Sequence, residues 1–333
     1  MAFLVDLARL LDEGRPLLAD GATGTNLFAM GLVAGDTPET WNESHPERIR
    51  KLHQDFVDAG ADVILTNSFG GNARRLMLHK LEGRVKELNR AAARIAREAA
   101  DTAGRPVVVA GSVGPTGDLF APLGPITEDE AVDVFAEQME GLAEGGADVM
   151  WIETMSAPEE MRAAVRAASR LGLPCTLTAS FDTAGKTMMG LSPSALPEFA
   201  AALPTRPLAV GANCGVGASD LLASILTMRA GSSMPIIAKA NCGIPQWHGD
   251  HVHYSGTPEL MADYAALAVD AGASIIGGCC GTSAHHLAAM RRSLDAHHRG
   301  EAPTLDEITA KVGPLVNAPA ADAQPRRGGR RRG

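Results

Sequence analysis

Residues 46–69, PERIRKLHQDFVDAGADVILTNSF, contain one complete structural unit. Ile49, Leu52, Phe56 and Val57 recur at the spacing of one helix face, and the Ala-Gly pair that follows is a helix C-terminal signal. The next apolar run is short and β-branched, and it ends in the polar residues Thr-Asn-Ser. The stretch therefore predicts an amphipathic helix followed by a buried strand with a polar end.

The same unit recurs along the chain. Short apolar runs alternate with helical patterns, and the eight runs begin at residues 17, 61, 106, 147, 175, 208, 235 and 273. Such alternation indicates a parallel sheet covered by helices, and eight units favour a single (β/α)8 TIM-type barrel over residues 1–312. The rival is an open doubly wound sheet. It normally has fewer strands, and the first turn, DGATGT, is not a dinucleotide-binding fingerprint.

The predicted strands end in residues that are poor core fillers. In barrels of this class the chemistry lies at the C-terminal ends of the strands. The residues at these ends are Asp20, Asn67, Ser112, Glu153, Ser180, Cys214, Asn241 with Cys242, and Cys279 with Cys280. We expect their side chains to surround one mouth of the barrel.

Two adjacent cysteines, Cys279 and Cys280, lie between glycines in IIGGCCGTS (275–283). Neighbours in a strand point to opposite faces, so their sulfurs converge only if the strand ends there and the glycines permit a turn. Cys214 closes the sixth strand, two strands away around the barrel. Three thiolates with one open position are typical of a catalytic zinc site, since structural sites usually fill all four. Cys242 is a candidate fourth ligand.

Interpretations of the cysteines without a catalytic role stay open at this point. Free cysteine is among the most buried residue types, so the pair at the eighth strand could be inert core. Cys175 opens the fifth strand, at the other end of the barrel, and we interpret it as a core residue. A third interpretation is a non-enzymatic barrel in which the cysteines hold a structural zinc.

The composition, 45% hydrophobic and 21% charged, is that of a globular protein, and the net charge of -9 excludes nucleic-acid binding by the barrel. No run of about 18 apolar residues is present, so we predict no membrane span. The odd count of five cysteines lacks the spacing of a disulfide framework, which indicates a reducing cytoplasm. A homo-oligomer stays open.

Three further stretches have weaker signals. Residues 313–333 are rich in Pro, Ala, Gly and Arg and are predicted to form a disordered tail, whose arginines could contact acidic surfaces or RNA. His248, His251 and His253 could form a second metal site, but a solvated loop is the favoured interpretation. DAHHRG at 295–300 matches a cobalamin-binding pattern, which we ascribe to chance because too few residues follow for a nucleotide-binding domain.

The motifs LADGATGTNL, TNSFGG, WIETM, GANCG and IIGGCCGT resemble the homocysteine S-methyltransferase family over roughly residues 15 to 295. This family includes betaine–homocysteine methyltransferases and the homocysteine-binding module of cobalamin-dependent methionine synthase. The resemblance implies a zinc ion on three thiolates and an asparagine that can approach the zinc without substrate. It also implies two carboxylates that bind the substrate. In this sequence the three thiolates correspond to Cys214, Cys279 and Cys280, and the asparagine to Asn241. The two carboxylates correspond to Asp20 and Glu153. The resemblance removes Cys242 from the zinc ligands.

The chemistry implied by the resemblance is methyl transfer to homocysteine. Zinc deprotonates a coordinated thiol, so the substrate sulfur would attack a methyl carbon as a thiolate without a general base. Asp20 and Glu153 suit the ammonium group of homocysteine, and backbone N–H groups of the GATG turn at Thr23 suit its carboxylate. Asn67, at the end of the second strand, is a further expected substrate contact.

The methyl donor is expected to be a small molecule, with glycine betaine favoured. Trimethylammonium groups bind against aromatic faces, and Trp41 lies near a position where the betaine enzymes have a cage tryptophan. The chain departs from those enzymes at Gly70, where they have an aromatic residue. Trp151, Trp247 or Tyr254 could substitute. The alternatives are S-methylmethionine, or a separate cobalamin protein serving a split methionine synthase.

Overall fold

The structure is a computed structural model that describes residues 5–243, 245–248 and 251–317. The side chains of residues 245–248 and 251–253 are outside this description.

A parallel sheet closes into the predicted (β/α)8 barrel. Its strands hydrogen-bond in the order β1-β10-β7-β6-β5-β4-β3-β2, and the bridge from Ala19 to Val63 joins the first strand to the last. The strands are β1 Leu17–Leu18, β2 Val63–Leu65, β3 Val108–Val113, β4 Val149–Met155, β5 Cys175–Ala179, β6 Val210–Cys214, β7 Ile236–Ala240 and β10 Ile275–Gly278.

Helices follow the strands and cover the outer face of the barrel. The helix that follows β1 as its crossover, α4, begins at Pro46 and buries the predicted stripe of Ile49, Leu52, Phe56 and Val57. The helices are α1 Leu7–Asp12, α2 Gly24–Ala29, α3 Trp41–Ser44, α4 Pro46–Asp58, α5 Ala73–Leu76, α6 Val85–Ala100, α7 Glu128–Glu144, α8 Pro158–Arg170, α9 Ala195–Ala201, α10 Ala218–Arg229, α11 Pro258–Asp270, α12 Ala284–Ala296 and α13 Leu305–Val312. In the part of the chain that the structure describes, none of them is long and apolar enough to cross a membrane.

The core has two layers because residues of a strand alternate between its faces. Within β2, Val63 and Leu65 belong to a cluster inside the barrel, whereas Ile64 belongs to the layer between strands and helices. Leu7 and Leu10 of α1 pack on the inner cluster. The opposite end, where the strands terminate, is left free for a cavity.

An antiparallel hairpin replaces the loop that the sequence predicts after the seventh strand. It consists of β8 (Pro245–His248) and β9 (His251–Tyr254), which pair from Pro245 with Tyr254 to His248 with His251. The second metal site considered at His248, His251 and His253 falls on side chains outside the described residues.

The segment after α13 contacts the barrel at the start of α10. Backbone N–H groups of Val316 and Asn317 donate to the Asp220 carboxylate at 2.9 and 2.7 Å, and Ser219 donates to the carbonyl oxygen of Gly313 at 2.5 Å. The first residues of the predicted disordered tail, 313–317, are therefore held on the barrel. The remainder of that tail, 318–333, lies outside the described residues.

Candidate metal centre and substrate cavity

A cavity of about 580 Å³ opens at the C-terminal mouth of the barrel. The ends of β3, β4, β6 and β10 and the segments that follow β1, β2 and β10 contribute to its wall, and Lys239 of β7 contributes from inside the barrel. Six of the strand-end residues expected around the mouth line this cavity, together with Thr23 of the GATG turn. The six are Asn67, Ser112, Glu153, Cys214, Cys279 and Cys280.

Three cysteine sulfurs converge on one point in this cavity. The Sγ atoms of Cys214, Cys279 and Cys280 all lie within 4.8 Å of one another, and those of Cys214 and Cys280 are 4.0 Å apart. Two thiolates on a tetrahedral zinc, at about 2.3 Å from the metal, would be about 3.8 Å apart. The cluster therefore fits a metal held by three thiolates with one position open to the cavity.

The adjacent cysteines converge because β10 ends immediately before them and the backbone turns. The N–H of Cys279 still donates to the Ala240 carbonyl of β7 at 2.7 Å, and Thr282 closes a turn onto the carbonyl of Cys279 at 3.1 Å. Gly281 between them has φ +81°, which favours glycine, and an added Cβ there would lie 2.4 Å from the Tyr254 ring.

Cys214 occupies a backbone conformation that is unusual for a residue with a side chain. Its φ is +62°, and Thr154, which also lines the cavity, has φ +61°. Such residues cluster at functional sites because surrounding contacts hold them there. Here Asn213 supplies the contacts: its Oδ1 accepts from the Thr154 N–H at 2.9 Å and from the Thr178 hydroxyl at 2.7 Å, and its Nδ2 donates to the Thr154 hydroxyl at 2.7 Å.

Asn213 was not identified from the sequence as a site residue, although its position directly before Cys214 in GANCG was a usable signal. Its Nδ2 also lies 4.0 Å from the Sγ of Cys279, so one amide links the strands that supply the thiolates.

Asn241 links the segment after Cys214 to the segment of Cys280. Its Nδ2 donates to the carbonyl of Gly215 at 2.7 Å, and its Oδ1 accepts from the N–H of Cys280 at 3.0 Å. Both polar ends are thus engaged with backbone next to Cys214 and Cys280. In this structure Asn241 positions the cysteines.

The other two cysteines are separate from the cluster. Cys242 and Cys175 are buried, and burial raises the pKa of Cys242 to about 11 and that of Cys175 to about 12. Both thiols stay protonated at neutral pH, so they are inert core groups.

Glu153 brings a buried carboxylate to the cavity floor. One oxygen accepts from the Ser112 hydroxyl at 2.5 Å. Burial raises the pKa of Glu153 to about 7, while the nearby Lys239 ammonium opposes that rise. A positively charged ligand beside Glu153 would stabilise its ionised form.

Asp20 lies below the cavity in a buried ion pair. Its Oδ1 is 2.7 Å from the Nζ of Lys239, and its Oδ2 accepts from the Leu65 N–H at 2.7 Å. Asp20 does not belong to the cavity lining, so the structure brings Glu153 to the cavity but assigns Asp20 to Lys239.

Lys239 was missed at the sequence level, although a lysine inside the apolar run PIIAKANCG was a signal. Although burial lowers the pKa of Lys239, the two carboxylates outweigh it and keep the pKa above its usual value.

Asn67 lines the cavity while its amide anchors a neighbouring loop. Its Nδ2 donates to the Pro38 carbonyl at 2.8 Å and to Oδ1 of Asn42 at 3.1 Å. Its main role in this structure is to hold residues 38–42 against β2.

Trp41 is buried behind the cavity wall and does not line it. Its ring is covered by the Arg48 guanidinium, 5.0 Å from the ring centroid, and by His45 at 4.6 Å. The Arg48 cation therefore already covers the ring that was expected to bind betaine. Among the described residues, the rings of Phe28 and Phe69 line the cavity, whereas Trp151 and Tyr254 do not; the side chain of Trp247 lies outside the described residues.

Comparisons with known proteins agree with this geometry. The methionine synthase of Mycobacterium tuberculosis (strain ATCC 25618 / H37Rv) is 31% identical over 302 residues, which are 85% of this chain and 25% of that protein. The methionine synthase of Mycobacterium leprae (strain TN) is 28% identical over 314 residues, covering 90% of this chain and 26% of that protein. The chain thus spans about a quarter of the length of the curated relatives it matches.

A solved structure is similar over nearly its whole length. The metallated form of the homocysteine methyltransferase MmuM from Escherichia coli has a TM-score of 0.69 and 26% identity, covering 85% of this chain and 98% of that chain. The family model described as homocysteine S-methyltransferase matches residues 17–294, from β1 to the last turn of α12. This match includes every cysteine of the cluster, and the chain belongs to the homocysteine S-methyltransferase family.

Proposed function

We propose that the chain transfers a methyl group from a small donor to the sulfur of homocysteine, giving methionine, with zinc on Cys214, Cys279 and Cys280. The convergence of these three sulfurs beside Glu153 in one cavity carries the proposal. Membership of the family supports homocysteine as the acceptor. The reduced thiols that this site needs fit a cytoplasmic location.

Different residues of the cavity are proposed to bind different groups of the substrate. A bound zinc would keep the homocysteine thiol deprotonated at neutral pH. Glu153 would receive the ammonium group, with Ser112 fixing its carboxylate. The turn at Thr23 lines the same cavity, and its backbone N–H groups are proposed to meet the substrate carboxylate. Orientation of the two reactants then supplies much of the acceleration.

The donor is proposed to be a small methylated onium, with glycine betaine as the first candidate and S-methylmethionine as the second. The negative thiolate and the positive onium neutralise each other in the transition state, so a partly apolar cavity favours the reaction. Phe28 and Phe69 provide the aromatic faces that a methylated cation prefers, in place of Trp41.

A second candidate is supported by the similarity to methionine synthases. In that case this chain would activate homocysteine, and a separate cobalamin protein would supply the methyl group. The two curated relatives are about four times as long as the part that this chain matches, which favours keeping this candidate.

One assay separates these functions. Zinc-loaded protein would receive homocysteine with betaine, S-methylmethionine or methylcobalamin, and methionine would be measured. We expect methionine from an onium donor. Methionine from methylcobalamin alone would select the second candidate. No methionine from any donor, together with zinc coordination that homocysteine does not alter, would reduce the site to a structural zinc.

The acceptor site has its own test. Glu153→Gln is expected to weaken homocysteine binding by about tenfold or more, because a charge-assisted contact is typically worth about 1.5–3 kcal/mol. Calorimetric titration with homocysteine measures it, and zinc content should stay unchanged. Wild-type affinity in this variant would remove Glu153 from the acceptor site.

A further inference from the structure

A buried carboxylate lines the cavity outside the machinery described above. Glu39 lies on the 3-10 turn Pro38–Thr40 and is only 4% exposed. Its Oε1 accepts from the Gly70 N–H at 2.7 Å. Among the residues that the structure describes, no basic side chain lies within ion-pair distance of it. A buried carboxylate without a cation is costly, so this group is suited to receive one from a ligand.

Gly70 makes room for this carboxylate. A Cβ added at Gly70 would lie 3.1 Å from the Oε1 of Glu39, a tighter contact than side chains normally make. The turn at Gly70, five residues after the end of β2, is therefore the place where this chain accommodates a negative charge. The glycine and the carboxylate belong to one arrangement.

Basic groups line the same cavity within electrostatic reach of Glu39. Arg75 and His79, from α5 and the turn after it, both contribute to the lining. Burial raises the pKa of Glu39, and the charges of Arg75 and His79 act against that rise. The guanidinium of Arg75 is exposed and forms no ion pair with a described carboxylate. The cavity thus offers an unpaired anion and an unpaired cation to one ligand.

We propose that Glu39 and Arg75 form the methyl-donor subsite and select a zwitterionic donor, with its methylated ammonium or sulfonium group beside Glu39 and its carboxylate on Arg75. This inference rests on the proposed function. It predicts discrimination against oniums that lack a carboxylate, such as choline, and against donors that lack an onium, such as methylcobalamin.

The charge balance of the reaction fits this subsite. A sulfur electron pair of the homocysteine thiolate forms the new carbon–sulfur bond, and the bond from the methyl carbon to the onium nitrogen or sulfur breaks with its electron pair. The onium centre of the donor becomes a neutral tertiary amine or thioether, and the carboxylate of the donor is unchanged. Because the positive charge beside Glu39 disappears, the attraction that held the donor is lost and product release is favoured.

The test compares two variants with matched controls. Glu39→Gln and Arg75→Met remove one charge each. Glu47→Gln and Arg94→Met make the same changes on exposed positions of α4 and α6. The KM values of glycine betaine and S-methylmethionine are measured at saturating homocysteine, and choline is measured as a competitive inhibitor.

We expect the donor KM to rise about tenfold or more in Glu39→Gln and in Arg75→Met. In Arg75→Met the inhibition constant of choline should stay unchanged, because choline has no carboxylate that could contact Arg75. Homocysteine affinity and zinc content should match wild type in all four variants, which separates a donor effect from a folding defect.

Two results would overturn the inference and leave homocysteine methyl transfer standing. One is an unchanged donor KM in both variants of a protein that makes methionine. The other is methionine formed by the wild type from methylcobalamin alone. If the wild type makes no methionine at all, the proposed function fails, and calorimetric titration with betaine and S-methylmethionine still decides the subsite: equal or absent binding in wild type and variants refutes it.

Discussion

At the scale of single residues, the site depends on side chains held in place by neighbours from other strands. Cys214 keeps its left-handed backbone while Asn213 bonds to Thr154 and Thr178 on β4 and β5. Asn241 does the same for the loop of Cys280. Metal ligands generally need such partners, whose loss lowers metal affinity or activity.

The first residue-scale prediction concerns the metal ligands. Cys214→Ala is expected to lose most of the bound zinc, because the two remaining thiolates supply only two of the four ligands that zinc needs. Metal analysis of purified protein measures this, with Cys242→Ala as the matched control that should keep its zinc. If the control loses zinc and Cys214→Ala retains it, the ligand assignment is wrong.

The second prediction concerns the buried ion pair. Lys239→Met leaves the Asp20 carboxylate buried without its cation, so the free energy of unfolding should fall by about 3–5 kcal/mol. Urea denaturation measures it. Lys51→Met, which breaks an exposed pair with Asp55, should cost about 0.5 kcal/mol or less. A double variant of Lys239→Met with Asp20→Asn should recover part of the loss; full additivity would show that the pair is not coupled.

At the scale of elements, α4 carries a polar residue inside its apolar face. His53 lies between Leu52 and Phe56 in sequence and is fully buried. Neither ring nitrogen has a hydrogen-bond partner among the described residues. Burial lowers the pKa of His53 to about 4, so the folded barrel holds this ring neutral.

This burial predicts a pH dependence of stability. Between the unfolded pKa of about 6.5 and the folded value of about 4, the unfolded chain binds the extra proton, so stability falls as the pH falls. At pH 5 the contribution of His53 to this loss should be about 2 kcal/mol relative to pH 7.5. Denaturation of wild type and His53→Leu at both pH values measures it. The variant should lose about 2 kcal/mol less than wild type on acidification, and equal losses would contradict the assignment.

At the scale of the whole molecule, barrel closure and the end of α13 decide what surrounds the cavity. Closure of β1 onto β2 places strand ends from both halves of the chain at one mouth. The segment 313–317 then binds at the start of α10, the helix that follows Cys214 and the end of β6.

A pair of truncations tests this attachment. Ending the chain after Val312 removes the backbone bonds to Asp220, so the Tm should fall by about 3–6 °C. Ending it after Asn317 keeps those bonds and should leave the Tm unchanged. Differential scanning calorimetry measures both. A large fall in the longer truncation would show that residues beyond 317 stabilise the barrel.

Much of the architecture and the clustering of the cysteines followed from local pattern. Eight apolar runs with polar ends predicted the barrel, and the positions of Cys214, Cys279 and Cys280 at strand ends predicted their convergence, which the structure confirms. Glu153 was also expected at the mouth and is found there. These features depend on strand periodicity and on the rule that parallel strands end at one edge, and both are properties of the linear sequence.

Tertiary structure alone decided which partner each side chain meets. Lys239 bonds to Asp20, which is 219 residues away in sequence. The ring of Trp41 packs against the Arg48 guanidinium behind the cavity wall. Glu39, unremarkable in the sequence, becomes a buried carboxylate in the cavity. Side-chain partners across a barrel depend on strand register and loop path, which the packing of the whole chain determines and no local pattern encodes.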